Sequence, residues 1–519
     1  MLGFPAALCS GGGVCCAAKE IWEWCVSERA NALSDEAGGQ DLRGSGLLRF
    51  VDINQNYPKA RAPEDRRGDF REIYDAWVAD IAQGQASRCS QCGIPFCQSG
   101  CPLENNIPDW LMLAGTGRLE EAYRASAATS SMPEICGRIC PQDRLCEGAC
   151  VVEKSGHGAI TIGSVEKFIT DTAWSEGWVE PIKPAVPRMA SVGIIGSGPA
   201  GLTAAEKLCE AGFGVTVYER SDRAGGLLMY GIPGFKLEKH IVQRRLDRLA
   251  AGGVEFRLNC EVGTDIEFGA LRAQHSAVLI ATGVYAARQL TCPGGGGAVV
   301  PALDYLTRAN RDDLGDDAAI DAKLNAAGRR VVVIGGGDTA MDCVRTAIRQ
   351  GASSVTCLYR RDRANMPGSA REVKNAEEEG VVFEWLAAPL AVIDHSDGSL
   401  SVRAQRMRLG ATDASGRRRP EPVDGETFDA GADLVISALG FEPEDLPGLF
   451  KDDALGVDRW RCVEGDEDTR MTSLDGVFVA GDIYRGASLV VWAIKDGLDA
   501  ARSIETYLEN RQQVLGAAE

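Results

Sequence analysis

Short apolar segments alternate with longer amphipathic segments from about residue 188 onward. The apolar runs Val192–Ile195 and Val331–Ile334 each lead directly into a glycine turn, Gly196–Gly198 and Gly335–Gly337. Short apolar runs separated by stretches of helical period predict parallel strands joined by helices. Because the strand–turn pattern occurs twice, we also expect an internal repeat of one nucleotide-binding α/β unit.

Residues 47–187 follow a different pattern. Apolar residues at helical spacing in Phe70–Gln83 and Ile107–Leu113 predict one helical domain. Three prolines in Pro181–Pro187 predict a linker to the α/β part. The Gly294–Gly297 run and the polar stretch Arg308–Arg329 are expected to connect the two α/β units. Residues 1–46 lack the cationic start of an export signal, and we interpret them as an extension of unknown role.

Composition narrows the class of protein. A chain of 519 residues is too long for one compact core. Its net charge of −19 opposes binding to nucleic acid and to anionic lipid. No apolar run approaches the length needed to cross a bilayer. We therefore expect a cytoplasmic multidomain protein that binds neither nucleic acid nor membrane.

Eight of the 18 cysteines fall within one stretch of the helical domain. Their spacing is Cys89-x2-Cys92-x4-Cys97-x3-Cys101-Pro and Cys136-x3-Cys140-Pro-x4-Cys146-x3-Cys150. Thiolates at this spacing, with proline after a cysteine, favour two 4Fe-4S clusters. A structural zinc site is the open alternative, whereas disulfides need an oxidising compartment that nothing in the sequence indicates.

The first glycine turn has the features of a dinucleotide site. Only glycine lets the backbone approach a pyrophosphate here, and the next strand, Val215–Tyr218, ends in Glu219, which is suited to ribose hydroxyls. The alternative is a turn that only packs a helix on a strand. The candidate contacts in this unit are Gly196, Gly198, Pro199, Ala200, Gly201 and Glu219.

The second unit differs where the acid would be. Its strand Val355–Tyr359 is followed by Arg360, Arg361 and Arg363, and guanidinium groups can bind a 2′-phosphate that a carboxylate would repel. We expect NADPH here, although such arginines can also be a solvated strand end. The candidate contacts are Gly335, Gly337, Asp338, Thr339, Ala340, Arg360, Arg361 and Arg363.

Two further strand-ending turns fit a flavin site. One is Ala281-Thr282-Gly283, and the other is Gly481-Asp482, which a helix from about Ala487 follows. An acid at a strand end can bind ribityl hydroxyls, and a helix N-terminus can stabilise a reduced, negatively charged flavin. Either segment alone is also compatible with an ordinary turn.

Together the cysteine octet and the segments Gly225–Lys236, Gly335–Ala340 and Gly481–Ser488 resemble the small (beta) subunit of bacterial NADPH-dependent glutamate synthases. The chain is less closely similar to the electron-input half of dihydropyrimidine dehydrogenase. The resemblance implies an α/β fold with two Rossmann-like, glutathione-reductase-type domains for FAD and NADPH, preceded by an all-helical iron–sulfur domain. The expected boundaries are 1–46, 47–187, 188–290 (FAD, first part), 291–440 (NADPH) and 441–519 (FAD, second part).

The resemblance also implies how the thiols are shared. Cys89, Cys92, Cys97 and Cys150 would hold one cluster, and Cys101, Cys140 and Cys146 three corners of the other. Cys136 and Glu166 compete for the fourth corner. The same motifs add to the FAD contacts Gly226, Leu227, Ala487 and Ser488.

By this resemblance the chain oxidises NADPH and passes electrons through FAD and two clusters to an FMN-containing large subunit, as part of a hetero-oligomer. That subunit makes L-glutamate from L-glutamine and 2-oxoglutarate. Hydride transfer depends on cofactor stacking, so no catalytic side chain is expected.

Three other hypotheses about the function of the chain remain open. The chain would otherwise be the electron-input subunit of a pyrimidine dehydrogenase or a ferredoxin-linked transhydrogenase, or a non-catalytic zinc-binding assembly subunit. A disulfide reductase is disfavoured because neither nucleotide domain carries a Cys-x-x-Cys pair.

Overall fold

The computed structural model describes residues 46–184, 186–294, 299–316, 322–396, 398–412 and 418–518. The expected N-terminal extension therefore lies almost entirely outside the described residues, as does most of the Gly294–Gly297 run. Among the described residues, no helix has both the length and the apolar character needed to span a membrane.

Every regular element between residues 46 and 184 is a helix, as the sequence predicts. Two of them are short 3₁₀ turns, Gly46–Leu48 and Gln142–Arg144. The α-helices are Arg49–Asp52 (α1), Pro63–Arg66 (α2), Ala79–Ala86 (α3), Phe96–Ser99 (α4), Ile107–Gly115 (α5), Leu119–Ala127 (α6), Pro133–Ile139 (α7), Val151–Lys154 (α8) and Ile162–Ser175 (α9).

The prediction of helix over Phe70–Gln83 is wrong for its first nine residues, because α3 begins only at Ala79. Tyr74 instead forms a bridge with Ala60, and Glu72 pairs with Arg138 and Lys167. These long-range contacts hold the segment in an irregular form, against its local periodicity.

The first nucleotide-type sheet is parallel, with the strand order β15-β4-β1-β2-β3. Its last strand comes from near the C-terminus, so two separate stretches of chain build one domain. Its strands are Ser191–Ile195 (β1), Gly214–Tyr218 (β2), Glu255–Arg257 (β3), Ala277–Ile280 (β4) and Val477–Val479 (β15). The helices around it are Pro199–Glu210 (α10), Leu227–Tyr230 (α11), Lys239–Ala251 (α12), Phe268–Gln274 (α13), Leu446–Phe450 (α17), Asp482–Arg485 (α18) and Val490–Ala518 (α19).

The second sheet lies between these two stretches in sequence and has the order β6-β13-β7-β8-β9. In both sheets the strand that leads into the glycine turn is the central one, which confirms the internal repeat. Its strands are Val299–Pro301 (β6), Arg330–Ile334 (β7), Ser354–Tyr359 (β8), Val382–Trp385 (β9) and Leu434–Ser437 (β13). Its helices are Ala302–Asp313 (α14), Asp338–Arg349 (α15) and Ala370–Glu378 (α16).

Two smaller sheets complete the fold. An antiparallel sheet inserted after β9 has the strands Ala387–Asp394 (β10), Leu400–Thr412 (β11) and Arg418–Ala432 (β12). The strands Ala286–Ala287 (β5) and Phe441–Glu442 (β14) pair where the chain passes between the two nucleotide units. The expected connecting stretch Arg308–Arg329 begins inside α14, so it is partly helical. Further 3₁₀ turns are Ala322–Leu324 and Arg363–Asn365.

Candidate functional site

The first glycine turn joins the buried strand β1 to α10. A Cβ on Gly196, whose φ is +103°, would lie 2.4 Å from the carbonyl oxygen of Ala281, so only glycine fits there. At Gly198 a Cβ would meet no atom within 4 Å. The open space at Gly198 adjoins the N-terminus of a 12-residue helix, where backbone N–H groups and the helix dipole favour a phosphate.

Glu219 lies at the end of β2, beside this turn, and is buried. Its carboxylate accepts hydrogen bonds from the backbone N–H groups of Ser197 (3.2 Å) and Ser221 (2.8 Å). These bonds fix the acid at the place where a dinucleotide site presents a ribose acceptor.

A mostly apolar cleft opens from this turn toward α19. Thr282 lines this cleft, and its Oγ1 is buried without a hydrogen-bond partner among the described residues. A polar group of a bound cofactor would supply that partner. Twelve of the expected FAD residues line the cleft: Gly196, Gly198, Pro199, Ala200, Glu219, Leu227, Ala281, Thr282, Gly283, Gly481, Asp482 and Ser488.

Three expected FAD residues lie outside this lining. Gly201 packs α10 on its own turn, since a Cβ there would lie 2.1 Å from the carbonyl oxygen of Gly196. Gly226 borders Gly198 from the neighbouring loop, and Ala487 is exposed.

Sequence reasoning missed Tyr285, Arg220 and Glu444, which also line the cleft. The guanidinium of Arg220 lies 4.5 Å from the Tyr285 ring centre and pairs with Glu444 at 2.9 Å. Burial, together with the charge of Glu219, raises the pKa of Tyr285, so its hydroxyl stays protonated and able to donate. Arg220 directly follows Glu219 in the chain, which was the available signal, whereas nothing local marks Tyr285 or Glu444.

The second glycine turn repeats this geometry between β7 and α15. A Cβ on Gly335 would lie 2.3 Å from the carbonyl oxygen of Ala438, and one on Gly336 would lie 2.3 Å from the Tyr359 ring. At Gly337 a Cβ would again meet no atom within 4 Å. The space for a pyrophosphate is therefore open in both units, and Ala340 is buried behind the second.

The three arginines after β8 are not equivalent. Arg360 is exposed and makes no ion pair with a described residue. The Nε of Arg361 is buried without a hydrogen-bond partner among the described residues. Arg363 is paired with Glu377. Arg360 and Arg361 are thus better placed than Arg363 to bind an added phosphate.

A second cleft connects the two nucleotide units. Asp338 and Thr339 line it at the N-terminus of α15, together with Leu227, Ile232 and Ser488, which also line the flavin-side cleft. Part of its wall comes from the helical domain: Tyr74, Arg138, Ile139, Cys140, Pro141 and Gln142. The second cleft is therefore bordered by the start of α15, by residues of the flavin-side cleft and by the candidate cluster ligand Cys140.

The eight helical-domain cysteines line two separate small cavities. Cys89, Cys92, Cys97 and Cys150 line the first. Cys101, Cys136, Cys140, Cys146 and Glu166 line the second. This partition agrees with the ligand sets implied by the resemblance, including both candidates for the last corner.

The two candidates for that corner come from helices in close contact. Cys136 is on α7 and Glu166 on α9, and a Cβ on Gly137 would lie 2.8 Å from the Lys167 nitrogen, so glycine permits the approach. The Glu166 carboxylate accepts a hydrogen bond from Ser126 at 3.0 Å. Burial raises the pKa of Glu166 to about 8.

The thiols need a cation to ionise at neutral pH. Burial raises the pKa of Cys89 and Cys101 to about 11 and that of Cys97 to about 12. Iron bound to sulfur supplies the positive charge that stabilises such thiolates. Among the described residues, no group of three or more His, Cys, Asp or Glu side chains is placed to hold a single metal ion.

Comparisons with known families agree with this division. Residues 66–178 match the family described as dihydropyrimidine dehydrogenase domain II, 4Fe-4S cluster. Residues 190–497, more than half of the chain, match the pyridine nucleotide-disulphide oxidoreductase family.

The glutamate synthase [NADPH] small chain of Azospirillum brasilense is 59% identical over 470 residues, which cover 90% of this chain and 97% of that protein. The chain belongs to the family of glutamate synthase small chains. Another member of this group of relatives, the putative oxidoreductase AegA of Escherichia coli, is 45% identical over 87% of this chain and 69% of its own length.

Among solved structures, Mycobacterium tuberculosis FprA in complex with NADPH covers 63% of this chain and 86% of its own, with a TM-score of 0.54 and 20% identity. This likeness supports the nucleotide-binding fold. Family membership makes the chain an NADPH-dependent oxidoreductase that combines a helical 4Fe-4S domain with FAD- and NADPH-binding domains. The predicted family and fold class are confirmed.

The two open glycine positions give a direct test of the nucleotide sites. Gly198→Ala and Gly337→Ala place a methyl group where phosphate oxygens would approach, while φ values of −70° and −88° suit alanine. We expect Gly198→Ala to weaken FAD and Gly337→Ala to weaken NADPH by about tenfold or more, a loss of roughly 1.4 kcal/mol. Flavin absorbance after purification and titration with NADPH measure the two effects.

Gly84→Ala in α3 is the matched control. A Cβ on Gly84 also meets no atom within 4 Å, and Gly84 lines neither cleft. It should change neither affinity. Normal FAD and NADPH binding by the two test variants would show that the cofactors do not approach these turns.

Proposed function

We propose that this chain is the electron-input subunit of a glutamate synthase. It oxidises NADPH and delivers electrons, through FAD and two 4Fe-4S clusters, to an FMN-containing large subunit that forms L-glutamate from L-glutamine and 2-oxoglutarate. The observation that carries this proposal is the near full-length 59% identity to a glutamate synthase small chain. Shared lining residues support the electron route: Leu227 and Ile232 line both clefts, and Cys140 lines the second cleft and the second thiol cavity.

In this proposal the clefts bind and orient the two nucleotides. Bound FAD supplies the chemistry that converts a hydride into single electrons. Glu219 holds the adenosine ribose of FAD, Gly198 and the start of α10 hold its pyrophosphate, and Asp482 faces the ribityl chain. Gly337 and the start of α15 hold the pyrophosphate of NADPH, with Arg360 and Arg361 at its 2′-phosphate.

The two thiol cavities are the proposed cluster sites, with the ligand sets that line them. Cys136 and Glu166 remain the competing ligands for the last corner of the second cluster. We further propose that residues 47–187 form the cluster domain, 188–290 with 441–519 the FAD domain, and 291–440 the NADPH domain.

An exposed apolar surface beside the first thiol cavity supports docking of a large subunit. Ile94 and Phe96 shortly precede Cys97 in sequence and are 65% and 46% exposed, and Met112 on α5 is 46% exposed. Cys92, which lines this cavity, is itself partly exposed. Exposed apolar side chains beside an electron-transfer site suit a protein partner in a hetero-oligomer.

A different electron acceptor is the second candidate. It is favoured by the 45% identity to AegA, which carries the same region within a longer protein named a putative oxidoreductase. In that case NADPH oxidation and the cofactor sites are unchanged, and only the partner differs.

Reconstitution with a glutamate synthase large subunit tests the function. The purified chain should bleach its flavin on mixing with NADPH and form no glutamate from glutamine and 2-oxoglutarate. Adding an FMN-loaded large subunit should start glutamate formation coupled to NADPH oxidation. Flavin bleaching without any coupling would favour the other acceptor, and no bleaching at all would exclude both proposals.

Replacing Arg360 and Arg361 by alanine tests the choice of nucleotide. A charge-assisted hydrogen bond contributes about 1.5–3 kcal/mol, so the double variant should weaken NADPH by roughly 10- to 100-fold and NADH far less. Titrations with both nucleotides measure this. Arg363→Ala, which removes a side chain already paired with Glu377, should have a smaller effect. Equal losses for both nucleotides would refute 2′-phosphate recognition.

Serine at Cys97 tests the cluster assignment. Because Cys97 lines only the first cavity, Cys97→Ser should remove about half of the iron and acid-labile sulfide, and Cys343→Ser, a buried cysteine of the NADPH unit, should remove none. Chemical iron and sulfide analysis checks both. Zinc without sulfide in the unaltered chain would replace the cluster interpretation. Comparing Cys136→Ser with Glu166→Gln in the same assay identifies the last ligand.

A further inference from the structure

The loop after α11 connects the flavin side of the protein to the NADPH unit. It begins at Ile232, which lines both clefts, and continues to Phe235 and Lys236, which enter the NADPH unit. Both of these side chains are almost fully covered, Phe235 at 1% exposed and the Lys236 side chain at 15%. The loop belongs to the FAD unit, yet its tip is buried in its neighbour.

Phe235 packs against two guanidinium groups of α15. Its ring centre lies 4.5 Å from the Arg345 guanidinium and 4.0 Å from that of Arg349. Glu379 pairs with both arginines, at 2.8 Å and 2.7 Å, and is fully buried. Burial alone would raise the pKa of Glu379, but hydrogen bonds from Arg349 and Arg345 hold it at about 2. The Phe235 ring therefore packs on two guanidinium groups whose charge is balanced by a buried carboxylate.

Lys236 binds the same helix one turn after its nucleotide-binding end. Its Nζ donates to Asp342 at 2.9 Å and lies 3.9 Å from Glu372. Asp342 is on α15, whose first residues, Asp338 and Thr339, line the nucleotide cleft. A displacement of Lys236 would therefore shift the end of α15 that is expected to bind NADPH.

The helical domain also contacts the junction, by which we mean the place where the loop with Phe235 and Lys236 packs against α15 and α16. Arg66, 1% exposed, donates to Asn375 at 3.1 Å and to Glu378 at 2.7 Å on α16. Cations and carboxylates pair across this junction: Arg66 with Glu378, Lys236 with Asp342, Arg345 with Glu372 and Arg349 with Glu379. Asp342, Glu372 and Glu379 are largely or fully covered, so removing a cation that pairs with one of them takes a partner from a buried carboxylate and destabilises the junction.

We propose that Phe235 and Lys236 are a latch that fixes α15, and the nicotinamide it carries, in the orientation for hydride transfer to the flavin. In this proposal they are positioning residues: Phe235 packs on two guanidinium groups of α15, and Lys236, which also lines the second cleft, pairs with Asp342 of that helix. The inference rests on the proposed NADPH and FAD sites. Displacement of a reactant by about 1 Å can cost roughly 100-fold in rate, so a fixed orientation is worth maintaining.

The test compares Lys236→Met, Phe235→Leu and Asp342→Asn with the unaltered FAD-loaded chain. At saturating NADPH we expect flavin reduction, followed by stopped-flow absorbance, to slow by about tenfold or more in each variant. The dissociation constant of NADPH should change less than about threefold. The long-wavelength charge-transfer absorbance of nicotinamide stacked on flavin should weaken, and reduction by dithionite should stay normal.

A second readout needs no nucleotide and no turnover. Amide hydrogen exchange of the loop at 232–238 and of α15 should rise together in Lys236→Met, because the two segments lose a shared contact. Lys207→Met is the control: it removes an ion pair with Glu210 on the surface of α10, and it should change neither exchange nor reduction.

The outcomes separate the latch from the function on which it rests. If the unaltered chain is not reduced by NADPH, the proposed function fails. If the unaltered chain is reduced and the variants match it in rate and exchange, the latch is wrong. A raised NADPH dissociation constant with an unchanged saturated rate would also overturn it, because Lys236 would then be a nucleotide ligand. A combined Lys236→Met and Asp342→Asn variant no slower than either single variant would support the pair acting as one unit.

Discussion

Two neighbouring residues at the start of α19 lie between the nucleotide clefts and the second thiol cavity. Val490 lines both nucleotide clefts, and Val491 lines the second thiol cavity. The rate of electron tunnelling falls steeply with distance. Electron transfer between a carrier in the clefts and one in the thiol cavity would therefore require a thin wall between the two. The fold meets this requirement with one helix. Gly497 lets α19 lie close against α10, since a Cβ there would be 2.4 Å from the carbonyl oxygen of Ala200.

This contact explains why the chain returns to the first sheet at its end. β15 pairs with β4, the turn Gly481–Asp482 follows, and α19 then begins at the wall between the cavities. A domain completed by a distant segment costs loop-closure entropy. The second nucleotide unit lies within that loop, and Asp338 and Thr339 at the start of α15 line a cleft that shares Val490 with the flavin-side cleft. The insertion and the C-terminal return are therefore parts of one arrangement.

The parts that depend on local chemistry could be predicted from the sequence. Both glycine turns, Glu219 and the cysteine spacing are local patterns, and the structure places each at an expected strand end or cavity. Tyr285, Glu444 and the contact made by Lys236 could not be found in this way, because the partners are distant in sequence: Lys236 meets Asp342 across 106 residues. The same reason makes the helix prediction wrong before Ala79, where Glu72 and Tyr74 follow tertiary contacts and not periodicity.

Charge poses the remaining problem, since NADPH is a polyanion and the chain carries a net charge of −19. The buried cations do not help, because Arg345, Arg349 and Arg66 are each neutralised by carboxylates and enclosed within the domain junction. Arg360, exposed and without an ion pair among the described residues, is a cation still available to an incoming phosphate. Arginine thus occurs in two settings: Arg66, Arg345 and Arg349 are buried and paired at the domain junction, whereas Arg360 at the end of a strand has no ion pair among the described residues. The net negative charge repels a polyanion at long range, so a local group of cations without carboxylate partners would be the favourable approach for one.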